Sequence, residues 1–267
     1  MMMPNHYFSY LDEYCEMLRY GNTVVIKDFK SGRYYQVTGM TVLLREIPWE
    51  DRHSTITSTR CYLFLLLFIG ISGVTFAGVA IWDNMLPICE LDSSLLIGCL
   101  IFAMAQICIH ENAHWVALRH FGRKPDSIGL HLTLYVFPSI YVRMNDISLL
   151  TFQERIIVNA AGLVANIISE LVFLVVGCLM LKCDLFIRIA YLYNFSLLFN
   201  FLPIWHTDGY RVLLAINGFT EFKGWKHNPP LVKMISLLSI AIAVVYLFLA
   251  VCWLATMIPE LPSNFRH

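Results

Sequence analysis

Apolar and polar positions are segregated along this chain. Residues 1–59 are polar and mixed in charge, whereas long apolar runs dominate from Arg60 onward. A helix needs about 20 apolar residues to cross the hydrocarbon core of a bilayer. Runs of that scale predict transmembrane helices at Arg60–Trp82, Ser94–Phe121, Phe152–Leu181, Leu185–Leu202 and Leu231–Ile258. Between the second and third, Ile128–Val142 is short for a span, carries Pro138 and interleaves aromatic residues. It predicts a re-entrant, hairpin-like segment at the membrane interface. Irregular backbone survives there only where protein or a water-filled cavity covers it. In the polar N-terminal part, the β-branched run Thr23–Ile26, the turn residues Lys30, Ser31 and Gly32, and Tyr34–Thr38 predict a small β-hairpin. The expected fold is an all-α polytopic membrane protein of about five transmembrane helices. It adds a re-entrant β-hairpin-like segment and a small cytosolic N-terminal β-hairpin. The expected domains are a cytosolic segment 1–59, a membrane-embedded domain 60–258 and a tail 259–267.

Composition strengthens the membrane reading. The chain is 58% hydrophobic and only 14% charged, with a mean hydropathy of +0.62; soluble domains are nearer a quarter charged. Net charge is zero and no block of one sign occurs, so nucleic acid is not an expected partner. Met1–Asp12 lacks the apolar core of a signal peptide. The eight cysteines form no C-x-x-C pair and read as small hydrophobes rather than a zinc or disulfide framework. Lys and Arg set orientation. Residues 83–93 contain none, whereas Arg119, Arg123, Lys124, Arg143, Arg155, Arg211, Lys223 and Lys226 flank the ends of the second and fourth runs. The consistent topology has the N-terminus cytosolic and the C-terminus outside. The end of the second span and the segment after the fourth then share the cytosolic side.

The candidate chemistry is His110-Glu111-Asn112-Ala113-His114, inside the second apolar run. Histidines four apart lie on one helix face, where two imidazoles can hold one metal. Zinc accepts such donors and keeps a position open for water when catalytic. Glu111 is placed to take a proton from that water and return it to a leaving group. Ionisable groups within spans are costly and mark function. A third ligand is required. Asp208, just after the fourth run, is the leading candidate; His206 competes, and His131 is a weaker rival. Small residues at Ala161, Gly162 and Ala165 suit close helix packing. Asn166, in the same run, needs a partner on another helix or a place facing a cavity.

These motifs, taken in order, resemble the site-2 protease family of intramembrane zinc metalloproteases. His110-Glu111-x-x-His114 is followed by a basic, aromatic-rich stretch. Next come Ala161-Gly162-Leu163-Val164-Ala165-Asn166 and then Asn200-x-x-Pro203 with Asp208-Gly209. Leu163 departs from the family's proline at that place, and Asn112-Ala113 from its bulky-plus-glycine pair. No departure removes a chemical group. The resemblance implies one zinc per chain on His110, His114 and Asp208, with Glu111 as catalytic acid and base. It also implies that Asn200, Pro203 and Asn166 lie near the substrate. The stretch Arg119–Arg123 and the form Thr207-Asp208-Gly209-Tyr210 look similar to a bacterial branch associated with peptide maturation. Val24–Thr38 faintly resembles the strands of leader-peptide recognition domains. The expected partners are the lipid bilayer and a membrane-bound peptide or protein substrate, with a peptide-modifying enzyme or exporter alongside. The rival functions are a non-catalytic peptide-binding, immunity or transport protein and a membrane di-iron oxidase or desaturase. The latter would need more clustered histidines.

Overall fold

The structure is a computed structural model and describes residues 6–39, 47–57, 60–61, 64, 67–73, 75, 93–133, 137–181, 183–205, 207–219 and 228–257. It begins with a five-stranded antiparallel sheet: β1 (Tyr7–Leu11), β2 (Cys15–Tyr20), β3 (Thr23–Asp28), β4 (Tyr34–Thr38) and β5 (Glu50–Arg52), in the order β4-β3-β2-β1-β5. The expected hairpin is β3–β4, registered from Thr23 opposite Thr38 to Lys27 opposite Tyr34. The sheet is larger than the sequence suggested. Leu18 and Tyr20, two apart on β2, are buried on one face with Tyr7 and Val25. Arg19 lies between them on the opposite face and Glu16 continues their own face, so charge masks the strand.

The expected all-α, five-span architecture is not what forms. Besides the sheet, the described helices are α1 (Ser93–His120), α2 (Phe152–Val175), α3 (Asp184–Phe201), α4 (Asp208–Ile216) and α5 (Pro230–Met257). Three segments among the described residues are long and apolar enough to cross a membrane: α1, α2 and Pro230–Leu249 of α5. The expected fourth span is α3, an 18-residue helix. Asp184, Arg188, Asn194 and Asn200 dilute its hydropathy. Residues 60–61, 64, 67–73 and 75 are helical. The rest of the expected first span, residue 258 and the tail 259–267 lie outside the described residues.

Between α1 and α2, β6 (Ser127–Thr133) pairs with β7 (Phe137–Arg143), Ser127 opposite Arg143 and Thr133 opposite Phe137. This is the hairpin expected at Ile128–Val142. A 3-10 turn, Asn145–Leu149, then leads into α2. Thr151 caps that helix: its hydroxyl accepts from the Glu154 N–H, and the Glu154 carboxylate accepts from the Thr151 N–H.

The sheet packs directly on the start of α2. Tyr7, Leu18, Tyr20 and Val25 share one core with Cys61, Leu149, Phe152, Ile156 and Ala215. Polar clamps surround it. Arg123, just past α1, donates to both oxygens of Glu16 at 2.6 and 2.7 Å. Lys27 donates to Asp146 at 2.7 Å, and the Tyr34 hydroxyl donates to the same carboxylate. Burial pushes the Asp146 pKa up. The Lys27 and Tyr34 hydrogen bonds, with the charges of Lys27 and Arg123, outweigh that and hold it below the usual carboxylate range. A depressed folded pKa contributes stability above the unfolded value, near 3.9, and loses it as pH falls through the folded one. Asp146→Asn should therefore loosen sheet docking by about 2 kcal/mol at neutral pH. Wild type should lose the same contribution only under acid. Hydrogen exchange of β2 and β3 amides reads both effects; equal exchange in variant and wild type at pH 7 would remove this clamp from the account.

Candidate metal centre

His110 and His114 lie one turn apart on α1, and their Nε2 atoms are 3.1 Å apart. Asp208 comes from the start of α4. Its Oδ2 lies 2.8 Å from His110 Nε2 and 3.0 Å from His114 Nε2. All three side chains are buried, and one ligand atom from each falls within 4.8 Å of the others. Three lone-pair donors aimed at one point repel each other unless a cation or shared protons lie between them. Two imidazole nitrogens and a carboxylate oxygen form a donor set that zinc takes, with a fourth position left for water.

Local sequence explains how Asp208 arrives. α3 ends at Phe201, and extended backbone at Leu202 together with Pro203 turns the chain. The Thr207 hydroxyl lies 2.8 Å from the Leu202 carbonyl and 2.6 Å from the Ile204 carbonyl, and it accepts the Tyr210 N–H as N-cap of α4. The Asp208 N–H donates to Asn200 Oδ1 at 3.3 Å. Gly209 is required by contact: a Cβ there would sit 2.1 Å from the Phe201 carbonyl oxygen. Asn200 thus holds the backbone of Asp208.

Backbone and side chains orient the imidazoles. His114 Nδ1 donates to the Val158 carbonyl at 2.7 Å. That fixes the proton on Nδ1 and leaves Nε2 its lone pair. His110 Nδ1 lies 3.1 Å from the Asn166 amide, which lies 2.9 Å from the Tyr193 hydroxyl. His110 Nε2 is a ligand only if Nδ1 carries the proton, so Asn166 must present Oδ1 to it. Oδ1 is the amide atom otherwise left without a partner among the described residues. Asn166 therefore sits directly behind a ligand. Gly162 lies against both rings: a Cβ there would be 2.5 Å from His110 Cε1 and 2.6 Å from His114 Nε2.

Glu111 lies beside the pair, and its carboxylate accepts the Val142 N–H of β7 at 2.7 Å. The hairpin thus touches the site through backbone. Of the rival ligands, His206 lies outside the described residues. His131 is placed only by backbone, in β6 opposite Ser139. Two supports and one buried carboxylate escaped the sequence reading. Val158 leaves no side-chain signal. Gly162 had read only as a packing residue. Glu170, an ionisable group in the middle of an apolar helix, carried a signal that went unread.

Removing Asp208 should expose the centre's dependence on a third ligand. Asp208→Ala should cut zinc affinity by more than the 10–100-fold typical of losing a supporting partner. Competition against a chelator measures it, and wild-type affinity in the variant would move the third ligand elsewhere.

No family model and no solved structure matches the chain. A curated protein of Bacillus subtilis (strain 168), "Putative peptide zinc metalloprotease protein YydH", is 29% identical over 242 residues, covering 88% of this chain and 94% of that protein. The similarity agrees with the resemblance to the peptide-maturation branch drawn from the motifs.

Proposed function

We propose that this chain is a zinc metalloprotease that hydrolyses a peptide bond in a membrane-associated or membrane-spanning peptide, acting near the cytosolic side of the bilayer. One observation carries the reading: His110, His114 and Asp208 converge, buried, with Glu111 beside them on a long apolar helix. The name of the Bacillus relative supports both the metal and the peptide substrate. A peptide made on the ribosome and cut during maturation or export is the substrate that fits best. A modifying enzyme or exporter would then act on the same peptide.

His110, His114 and Asp208 would hold one zinc per chain. Bound zinc supplies Lewis acidity, polarising the scissile carbonyl and lowering the pKa of the attacking water. Glu111 takes the proton from that water and delivers it to the departing amine. Val158 and Asn166 keep both imidazoles turned toward the ligand point. Helical peptide hides its carbonyls in its own hydrogen bonds, so the substrate must be extended to be cut. β7 offers an edge beside Glu111 along which an extended segment can lie.

The test uses full-length protein in lipid nanodiscs with a membrane-anchored peptide. A zinc chelator should stop cleavage and added zinc should restore it. Cleavage that persists in the chelated, zinc-free protein would overturn the reading. An oxidase or desaturase would instead carry two irons per chain.

A further inference from the structure

Five of the buried side-chain polar atoms that lack a protein partner among the described residues belong to Asn166, Glu170 and Asn194. Glu170 is fully buried on α2, with both carboxylate oxygens unpartnered. Asn194 is buried on α3, with both amide atoms unpartnered. The packing places them at one level. Leu197 packs with Leu163, Ile167 and Phe68. One turn along α2 from Ile167 comes Glu170, one turn back along the antiparallel α3 comes Asn194, and one turn on from Phe68 comes the buried Ser72. A polar layer therefore sits on an apolar one. It lies about two turns beyond Gly162, away from the Arg119–Lys124 end of the metal centre. It is also tied to that centre. Tyr193 is the neighbour of Asn194 on α3. Tyr193 meets the Asn166 amide at 2.9 Å, and that amide meets His110 at 3.1 Å.

The unpartnered atoms are of both kinds: Asn194 Nδ2 needs an acceptor, whereas Asn194 Oδ1 and the Glu170 oxygens accept. A cation would satisfy only the oxygens. Water both donates and accepts and is the small ligand that satisfies the set. We propose that Glu170, Asn194 and Ser72 enclose a chamber holding ordered water, and that Asn166 and Tyr193 connect it to His110 as an internal store for hydrolysis. This rests on the hydrolytic reading, since each peptide bond cut consumes one water. No bond forms or breaks in the chamber itself. Asn166 thus has two tasks, orienting His110 and bordering the water.

Hydroxyl-radical footprinting of the zinc-loaded protein in nanodiscs tests it, because water bound beside a buried side chain generates the label in place. Leu197 should be oxidised several times faster than Leu118, an equally buried leucine in an apolar cluster. Equal labelling of the two would overturn the chamber, whether or not the protein is a protease. In Glu170→Leu/Asn194→Leu, Leu197 labelling should fall to the Leu118 level. Zinc content and KM should hold, while kcat falls about tenfold, the low end of losses from support behind a ligand. An unchanged kcat in that zinc-loaded variant would overturn the supply role. If the variant does not fold, the wild-type comparison still decides whether the chamber holds water.

Discussion

Glu111→Gln should retain zinc and lose hydrolysis by about 10³–10⁴-fold, the upper range for removing a positioned acid–base group. The substitution is nearly isosteric. A glutamine carbonyl oxygen can still accept the Val142 N–H that Glu111 accepts at 2.7 Å, so the strand beside the site keeps its anchor. The ligand atoms of His110, His114 and Asp208 are not touched. What disappears is the capacity to take a proton and give it back. Zinc content by mass spectrometry and cleavage of a membrane-anchored peptide report the two halves separately. Turnover at the wild-type rate would remove Glu111 from the chemistry. Loss of zinc along with activity would make Glu111 part of the metal site instead.

Gly162→Ala should empty the centre although residue 162 donates nothing to it. The added methyl carbon would lie 2.5 Å from His110 Cε1, 2.7 Å from His110 Nδ1 and 2.6 Å from His114 Nε2. Carbon does not approach imidazole that closely, so one ring or the whole of α2 must move. His114 is held by Val158 and His110 by Asn166, both on α2 itself. Backing α2 away therefore breaks the bonds that orient the rings, and leaving it in place collides with them. Zinc affinity should fall by about 100-fold or more, beyond the loss of one supporting hydrogen bond. Chelator competition on folded protein measures it. Wild-type affinity in Gly162→Ala would mean that α1 and α2 do not cross as closely as the structure has them.

His110 and His114, grouped by their spacing, and Asp208, chosen for its place after the fourth run and by the family resemblance, are brought by the fold to a single point. Local rules carried that much: a four-residue helical repeat, and an Asp-Gly pair delivered by a proline turn. Two β-hairpins were legible for the same reason, because their strands are neighbours in sequence. The remainder of the sheet was not. β1 pairs with β5, far along the chain, and Glu16, Arg19 and Lys27 disguise strands whose apolar face is satisfied by distant residues such as Leu149, Phe152 and Ile156. The span count failed on α3, where polar residues such as Asn194 turn inward and lower the hydropathy without exposing the helix to water. Asn166, a polar residue in an apolar run, calls for a partner on another helix, and it meets His110 on α1 and Tyr193 on α3. Asn200 accepts from the backbone of Asp208, a contact that spacing in the sequence does not reveal.

In the proposed enzyme, two histidines of α1 and one aspartate of α4 share a zinc ion. Zinc-edge X-ray absorption of the purified protein measures that coordination directly. The predicted first shell holds two imidazole nitrogens and carboxylate or water oxygen at about 2.0–2.2 Å. A sulfur shell at about 2.3 Å, or a chain that binds no zinc, would contradict it.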